Sequence, residues 1–191
     1  RQARLRHQGS DRIEYVIHND GALTPGNRLG ACADLQLAFR RSSCSGPVLV
    51  SAADNIYLFG IGDLWKRFLT GKYHSIVALV EDNEEILKRS GIPIFGEENR
   101  VKRLLEKPLS PPSSWLCPPL YFFKNSAREV LDRFLESHDF VDAPGYFIDY
   151  LCRKEVVTAF KLDGRRMDIG SPKTYRKADR FLRQLAGNKC D

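Results

Sequence analysis

Pro47-Val-Leu-Val-Ser-Ala-Ala-Asp54 is a nearly continuous apolar run that stops at an acid, the pattern of a strand buried on both faces of a sheet. It predicts a central strand. On its amino side, Gly30 to Arg41 (GACADLQLAFRR) has apolar residues at helical spacing and a basic end, which a helix prefers. On its carboxyl side, Gly62 to Leu69 (GDLWKRFL) reads as a second helix and Ser75-Ile-Val-Ala-Leu-Val80 as a second buried strand. This strand–helix–strand rhythm predicts an α/β fold with a mixed, mostly parallel sheet flanked by helices.

Further out the pattern continues. Ile92-Pro-Ile-Phe95 and Arg100-Val-Lys-Arg-Leu-Leu105 predict short strands around the turn residues Gly96 to Asn99, and Leu120-Tyr-Phe-Phe123 predicts another. Pro108 to Ser114 is too proline-rich for regular structure and reads as a surface loop. Ser126-Ala-Arg-Glu129 has capping-box spacing ahead of a helix through Val130, Phe134 and Leu135. Tyr146 to Leu151 reads as helix, Glu155 to Phe160 as strand, and Ser171-Pro172 as the start of a basic helix over Lys173 to Leu185. Toward the amino end, Arg12 to His18 reads as a short strand and Asn19 to Asn27 as a turn-rich stretch. The first dozen residues, with Arg1, Arg4, Arg6 and Arg12, read as the tail of a helix. After Asn55, Ile56 to Phe59 reads as an aromatic-rich turn. No repeat or linker interrupts the pattern, so residues 1–191 are taken as a single domain.

Composition narrows the function classes. The 191 residues are 42% hydrophobic and 28% charged, near globular averages, and contain no apolar run of about 18 residues. No membrane span is expected. Thirty basic against 24 acidic residues leave a net charge of +6, suited to anionic ligands. The basic residues Lys173, Arg176, Lys177, Arg180 and Arg183 read as one solvated helix face, without the interleaved aromatics of a nucleic-acid surface. Cys32, Cys44, Cys117, Cys152 and Cys190 form no C-x-x-C pair, which argues for plain thiols in a cytoplasmic setting. The four histidines have no metal-ligand spacing. No G-x-G-x-x-G, no P-loop and no G-x-S-x-G occurs. Trp65, Phe68, Phe122, Phe123, Phe134 and Phe147 fall at core-like spacing.

Four places could carry chemistry. Asp54 ends an apolar strand, where ligands of open α/β sheets gather, and can hold a cation or cap the following turn. Asp168 precedes a helix start and can hold a cation beside amides that face phosphate, or serve as a turn acid. Glu106-Lys107-Pro108 offers a carboxylate for a sugar hydroxyl and an ammonium for a phosphate, or a surface ion pair. Arg28-Leu29-Gly30 feeds a helix, with Gly30 permitting close approach of a flat ligand or phosphate.

In order, Arg28 to Ala31, Val48 to Asn55, Gly91 with Arg100-Val101, Glu106 to Pro108, Leu120 to Phe123 and Asp168 to Pro172 resemble the motifs of the sugar-1-phosphate nucleotidyltransferases. Glucose-1-phosphate thymidylyltransferases and their uridylyl- and mannose-directed relatives are nearest in look. The resemblance runs from about Ile13 to Leu185. It implies a Rossmann-like nucleotidyltransferase fold, a nucleoside triphosphate and a sugar-1-phosphate as substrates, and release of pyrophosphate with an NDP-sugar formed. It also implies Mg2+ held by Asp54 and Asp168, Lys107 on the sugar phosphate, and Glu106, Gly91 and Tyr121 around the sugar. Arg28, Leu29, Gly30 and Asn55 would be the other substrate-binding residues, the first three on the nucleobase side. Homo-oligomers are common in the family.

The sequence departs from the family pattern in three places. The glycine-rich amino-terminal signature is missing, the chain opens at Arg1, and its single methionine is Met167. The expectation is therefore an amino-terminally truncated domain without the first strand and triphosphate loop, weak or inactive alone. Pro119 and Ala53 also stand where the family has glycines. The alternative these departures leave open is a non-catalytic nucleotide-sugar-binding or regulatory module.

Overall fold

The structure is a computed structural model that describes residues 3–6 and 14–187. Its main sheet is built on β5 (His74–Val80), whose residues alternate between two apolar layers. Ile76 and Ala78 face one, Val77 and Leu79 the other. Parallel to β5 on one side runs β10 (Val157–Leu162), and antiparallel on the other runs β9 (Leu120–Phe123). Next to β9 lies β3 (Val48–Ser51), also antiparallel to it, and β8 (Trp115–Leu116) pairs with the end of β5. Thus β3, β5 and β10 point one way and β9 and β8 the other, a mixed sheet in the order β10-β5-β9-β3.

The first apolar layer is closed by α1 (Ala31–Arg41), α4 (Ala127–Glu136) and α5 (Pro144–Lys154). Helix α4 buries Ala127, Val130, Leu131 and Phe134, a 3.6-residue stripe. The second layer is closed by α2 (Ile61–Thr70) through Leu64 and Phe68. Strand β9 feeds both, with Tyr121 and Phe123 in the first layer and Leu120 and Phe122 in the second. Of the aromatics expected in the core, Phe68, Phe122, Phe123, Phe134 and Phe147 are fully buried and Trp65 packs at the margin.

Two antiparallel ribbons flank the sheet. One is β6 (Gly91–Phe95) with β7 (Val101–Glu106), turned through Glu98 and Asn99 at positive φ. The other is β4 (Asn55–Tyr57) with β11 (Arg166–Asp168). A short α3 (Glu84–Leu87), capped by Asn83, links β5 to β6, and α6 (Pro172–Gly187) ends the described chain. Ser171 caps α6 as its sequence promised, its Oγ accepting from the Thr174 N–H at 3.1 Å.

Four expectations are corrected. Strand β3 has a strand neighbour on one side only among the described residues, and Leu49 is 39% exposed, so this apolar run lies at an edge. Ile56 and Tyr57 belong to a strand, because β11 supplies a distant partner for their backbone. Residues 3–6 form β1 (Ala3–Arg6), paired with β2 (Glu14–Ile17), where a helix tail was expected. Arg1 and Arg12, the rest of that expectation, lie outside the described residues, as does Cys190. Ser126 makes no side-chain cap on α4: its backbone is helical at φ −59 and ψ −23, and its Oγ donates to Glu155 Oε2 at 2.7 Å.

Candidate active site

At the carboxyl ends of β3 and β11 the chain makes its two acidic turns. Asp54 follows β3 and Asp168 closes β11, and the β4–β11 register sets Asp168 opposite Asn55. The Ile169 N–H donates to the Asp54 carbonyl at 2.8 Å and stitches the turns together. Both carboxylates then converge on Gly170. A Cβ at that glycine would meet Asp168 Oδ1 at 3.2 Å and Asp54 Oδ2 at 3.3 Å.

Each acid keeps one oxygen engaged. Asp168 Oδ1 accepts from the Gly170 N–H at 2.8 Å, and Asp54 Oδ1 accepts from Asn55 Nδ2 at 2.8 Å. Asn55 Oδ1 in turn accepts from Arg166 Nη1 at 2.7 Å. The two bonds settle which way the amide points and make Asn55 a link that orients Asp54. Both acids are exposed. Among the described residues no three His, Cys, Asp or Glu side chains gather around one point. Two converging carboxylates fit Mg2+, which binds through one or two of them and leaves its other positions to phosphate and water.

A second group forms where β6 begins and β7 ends. Gly91 is paired with Glu106, and the Lys107 N–H donates to the Ser90 carbonyl at 3.1 Å. Lys107 has φ +49, a left-handed backbone that a residue with a Cβ adopts at a cost, just before a proline that fixes the exit. Its side chain is exposed, whereas Glu106 is half-buried. Burial pushes the Glu106 carboxyl above the usual carboxylate range, with the Lys107 ammonium pulling the other way.

The segment Cys117 to Pro119 connects the two groups. The Cys117 N–H donates to the Gly91 carbonyl at 2.7 Å, while the Pro119 carbonyl accepts from the Ala52 N–H at 3.1 Å and from the Tyr57 hydroxyl at 3.0 Å. Pro119 therefore anchors the approach to Asp54 through its carbonyl, which any residue supplies. Tyr121 lies beneath this floor at 5% exposure, and burial raises its hydroxyl well above the usual phenol range. It stays protonated. Cys32 and Cys152 are likewise pushed up to about 12, chiefly by burial, and are inert thiols.

Arg28, Leu29 and Gly30 sit at the start of α1. Gly30 has φ +89, and a Cβ there would meet the Val141 carbonyl at 2.9 Å and Phe140 Cε2 at 3.2 Å. Close packing of the loop leading to α5 thus explains this glycine without a ligand. Arg28 pairs with Asp142 at 3.5 Å across the same contact, and Leu29 is 41% exposed.

At the opposite end of the sheet, Ser126, His74 and Glu155 cluster in a way that superficially suggests a nucleophile and base. The Lys124 N–H donates to His74 Nδ1 at 3.1 Å, so the imidazole proton sits on Nε2, which donates to Glu155 at 2.8 Å. No free imidazole nitrogen is left to take a proton from Ser126, and burial holds His74 below the usual imidazole range. The cluster ties β5 and β10 to the start of α4.

The sequence model of the nucleotidyl transferase family matches residues 4–184. The chain belongs to this family. Among curated proteins it is 24% identical over 137 residues to the UTP–glucose-1-phosphate uridylyltransferase AglF of Haloferax volcanii, covering 71% of this chain and 56% of that protein. It is 26% identical over 139 residues to a glucose-1-phosphate adenylyltransferase of Thermomicrobium roseum, covering 71% and 32%. The chain thus spans about half the length or less of these relatives. Among solved structures, a putative glucose-1-phosphate thymidylyltransferase from Bacillus anthracis, in complex with a sucrose, superposes with TM-score 0.68 at 17% identity, covering 81% of this chain and 61% of that one. A UDP-glucose pyrophosphorylase complexed with UDP-glucose gives 0.67 at 15%, covering 82% and 62%. The shared fold is the Rossmann-like nucleotidyltransferase architecture. No helix of the described residues is long and apolar enough to cross a membrane.

In this member of the family the residues named from sequence fall into one acidic pair, Asp54 and Asp168 with Asn55, and one slot, Gly91 with Glu106 and Lys107. Tyr121 is buried, and Gly30 packs against Val141 and Phe140. Sequence reading missed Gly170, Arg166, Tyr57 and Gly145. The first three had a detectable signal, since each belongs to a stretch adjoining one of the acids, but only the β4–β11 pairing assigns them a task.

Proposed function

We propose that the chain takes part in nucleotidyl transfer onto a sugar-1-phosphate. A phosphate oxygen of the sugar-1-phosphate attacks the α-phosphorus of a nucleoside triphosphate in line, the bond to the β-phosphate breaks, and pyrophosphate leaves with the electron pair. The nucleophile is already an anion, so no base need remove a proton. The difficulty is bringing two anions together, and catalysis rests on positioning and charge neutralisation.

The convergence of Asp54 and Asp168 on Gly170, linked to the Glu106–Lys107 slot through the hydrogen bonds of Cys117 and Pro119, is the observation that carries this reading. The two carboxylates would hold Mg2+, which when bound neutralises phosphate charge and orients the triphosphate. Arg166 and Asn55 keep Asp54 turned toward its partner. Lys107, exposed on a constrained backbone, would meet the sugar phosphate, and Glu106 would accept from a sugar hydroxyl. The names of the relatives support glucose-1-phosphate and UTP as first probes.

Calorimetry of the chain with glucose-1-phosphate and with UTP, with and without Mg2+, tests the proposal. Binding is expected to need Mg2+ for UTP and to weaken on the order of 100-fold in Asp54→Asn and in Asp168→Asn. Binding that ignores both substitutions and the metal would refute the transferase reading and leave a nucleotide-sugar-binding module.

A further inference from the structure

The Glu106 carboxylate is walled by two glycines from different elements. At Gly91, which opens β6, a Cβ would meet Leu104 Cδ2 at 3.2 Å and Glu106 Oε2 at 3.4 Å. At Gly145, in the first turn of α5, a Cβ would overlap Glu106 Oε2 outright and lie 2.8 Å from Glu106 Cδ and 3.3 Å from Leu104 Cδ2. Neither glycine has positive φ, so the backbone does not require glycine at either place. Gly145 even opposes the helix it belongs to, since alanine is the better helix former. At Gly145 the space a side chain would need is occupied by the carboxylate itself, whereas at Gly91 the tighter neighbour is Leu104 and the same carboxylate oxygen lies at ordinary contact distance.

The helix cannot retreat to make that space. Asp149, one turn further along α5, accepts from Arg103 Nε at 2.6 Å, from Arg103 Nη2 at 3.1 Å and from the Leu104 N–H at 3.1 Å. These bonds clamp α5 onto β7 two residues before Glu106. With the helix fixed, the size of residue 145 decides where the carboxylate goes.

We infer that Gly145 is a positioning residue: its bare Cα holds open the slot in which the Glu106 carboxylate is presented to the sugar. The inference rests on the proposed role of Glu106 as acceptor of a sugar hydroxyl. Any side chain at 145 drives the carboxylate out of the slot, while a carboxylate one methylene shorter tolerates it.

Two measurements on the full chain test this separately. In urea unfolding, Gly145→Ala is expected to lower the midpoint when Glu106 is present and to leave it unchanged or raise it in a Glu106→Ala background; equal effects in both backgrounds would overturn the steric claim. In calorimetry with glucose-1-phosphate and Mg2+, Gly145→Ala is expected to weaken binding on the order of tenfold. Gly145→Ala with Glu106→Asp should then bind more tightly than Gly145→Ala alone. Absence of that rescue would overturn the positioning role. Absence of glucose-1-phosphate binding by the unaltered chain would instead overturn the functional reading beneath it, with the unfolding comparison still deciding the steric one.

Discussion

Glu106 is held where its charge is disfavoured. Burial raises its carboxyl above the ordinary value of 4.5, and the neighbouring Lys107 offsets this only in part. A raised folded-state value means that the folded chain binds the proton more tightly than the unfolded chain. The contribution to stability is therefore fully present below about 4.5 and is lost as pH rises through the folded value. Glu106→Gln should consequently be more stable than the unaltered chain at pH 7 in urea unfolding, with the difference shrinking toward pH 4. The same substitution should weaken glucose-1-phosphate binding, because an ionised acceptor bonds a hydroxyl more strongly than an amide does. A variant that gained no stability at pH 7 would show that the buried carboxylate carries no penalty. Lys107, at φ +49, stands next to it in a second disfavoured state, so local cost is concentrated on the two residues proposed to touch substrate.

Among the elements, α5 carries more than its helical pattern announces. Phe147, Ile148, Leu151 and Cys152 form its buried stripe, yet Asp149 is buried among them at 8% exposure. Its carboxylate is satisfied by Arg103, by Arg153 at 3.1 Å and by the Leu104 N–H, and so docks the helix on β7. Both arginines are about half exposed and would find water if released, so the loss is that of charged hydrogen bonds rather than of a stranded ion. Asp149→Asn is expected to cost about 2 kcal/mol in urea unfolding and to loosen the Glu106 slot, seen as faster amide hydrogen exchange at Leu104. Unchanged exchange at Leu104 would show that the clamp does not hold the ribbon. The sequence placed α1, α2, α5, β5 and β9 well because each is long or apolar enough to carry its own periodicity. It misread Ser126, whose helical backbone (φ −59, ψ −23) is not that of a capping residue and whose hydroxyl donates to Glu155, a partner set by the tertiary fold. It also misread Asn55 to Tyr57, three residues that become a strand only because Arg166 to Asp168 lie alongside.

At the scale of the molecule, one sheet with two apolar layers gives the site its base. Phe122 is fully buried in the α2-side layer, with ring centroids 5.5 Å from Phe68, 5.4 Å from Phe160 and 6.4 Å from Trp65. Phe122→Ala should cost about 3–5 kcal/mol in urea unfolding, since the rings around it cannot close the void. A loss below about 1 kcal/mol would mean that the layer repacks. Strand β3, which delivers Asp54, is the outer strand of this sheet among the described residues, and its apolar run alone did not show that. Hydrophobicity reports that a strand is covered but not which neighbour covers it. By itself, then, the sequence determined the alternation of strands and helices, a sheet flanked by helices, and the motifs that mark the family, because these depend on residues close together in the chain. The tertiary structure alone decided that Asp54 and Asp168 share Gly170, that Arg166 steadies Asp54 through Asn55, and that Gly145 leaves room for Glu106. Those are contacts between distant segments, set by strand register and helix docking, and no local pattern encodes them.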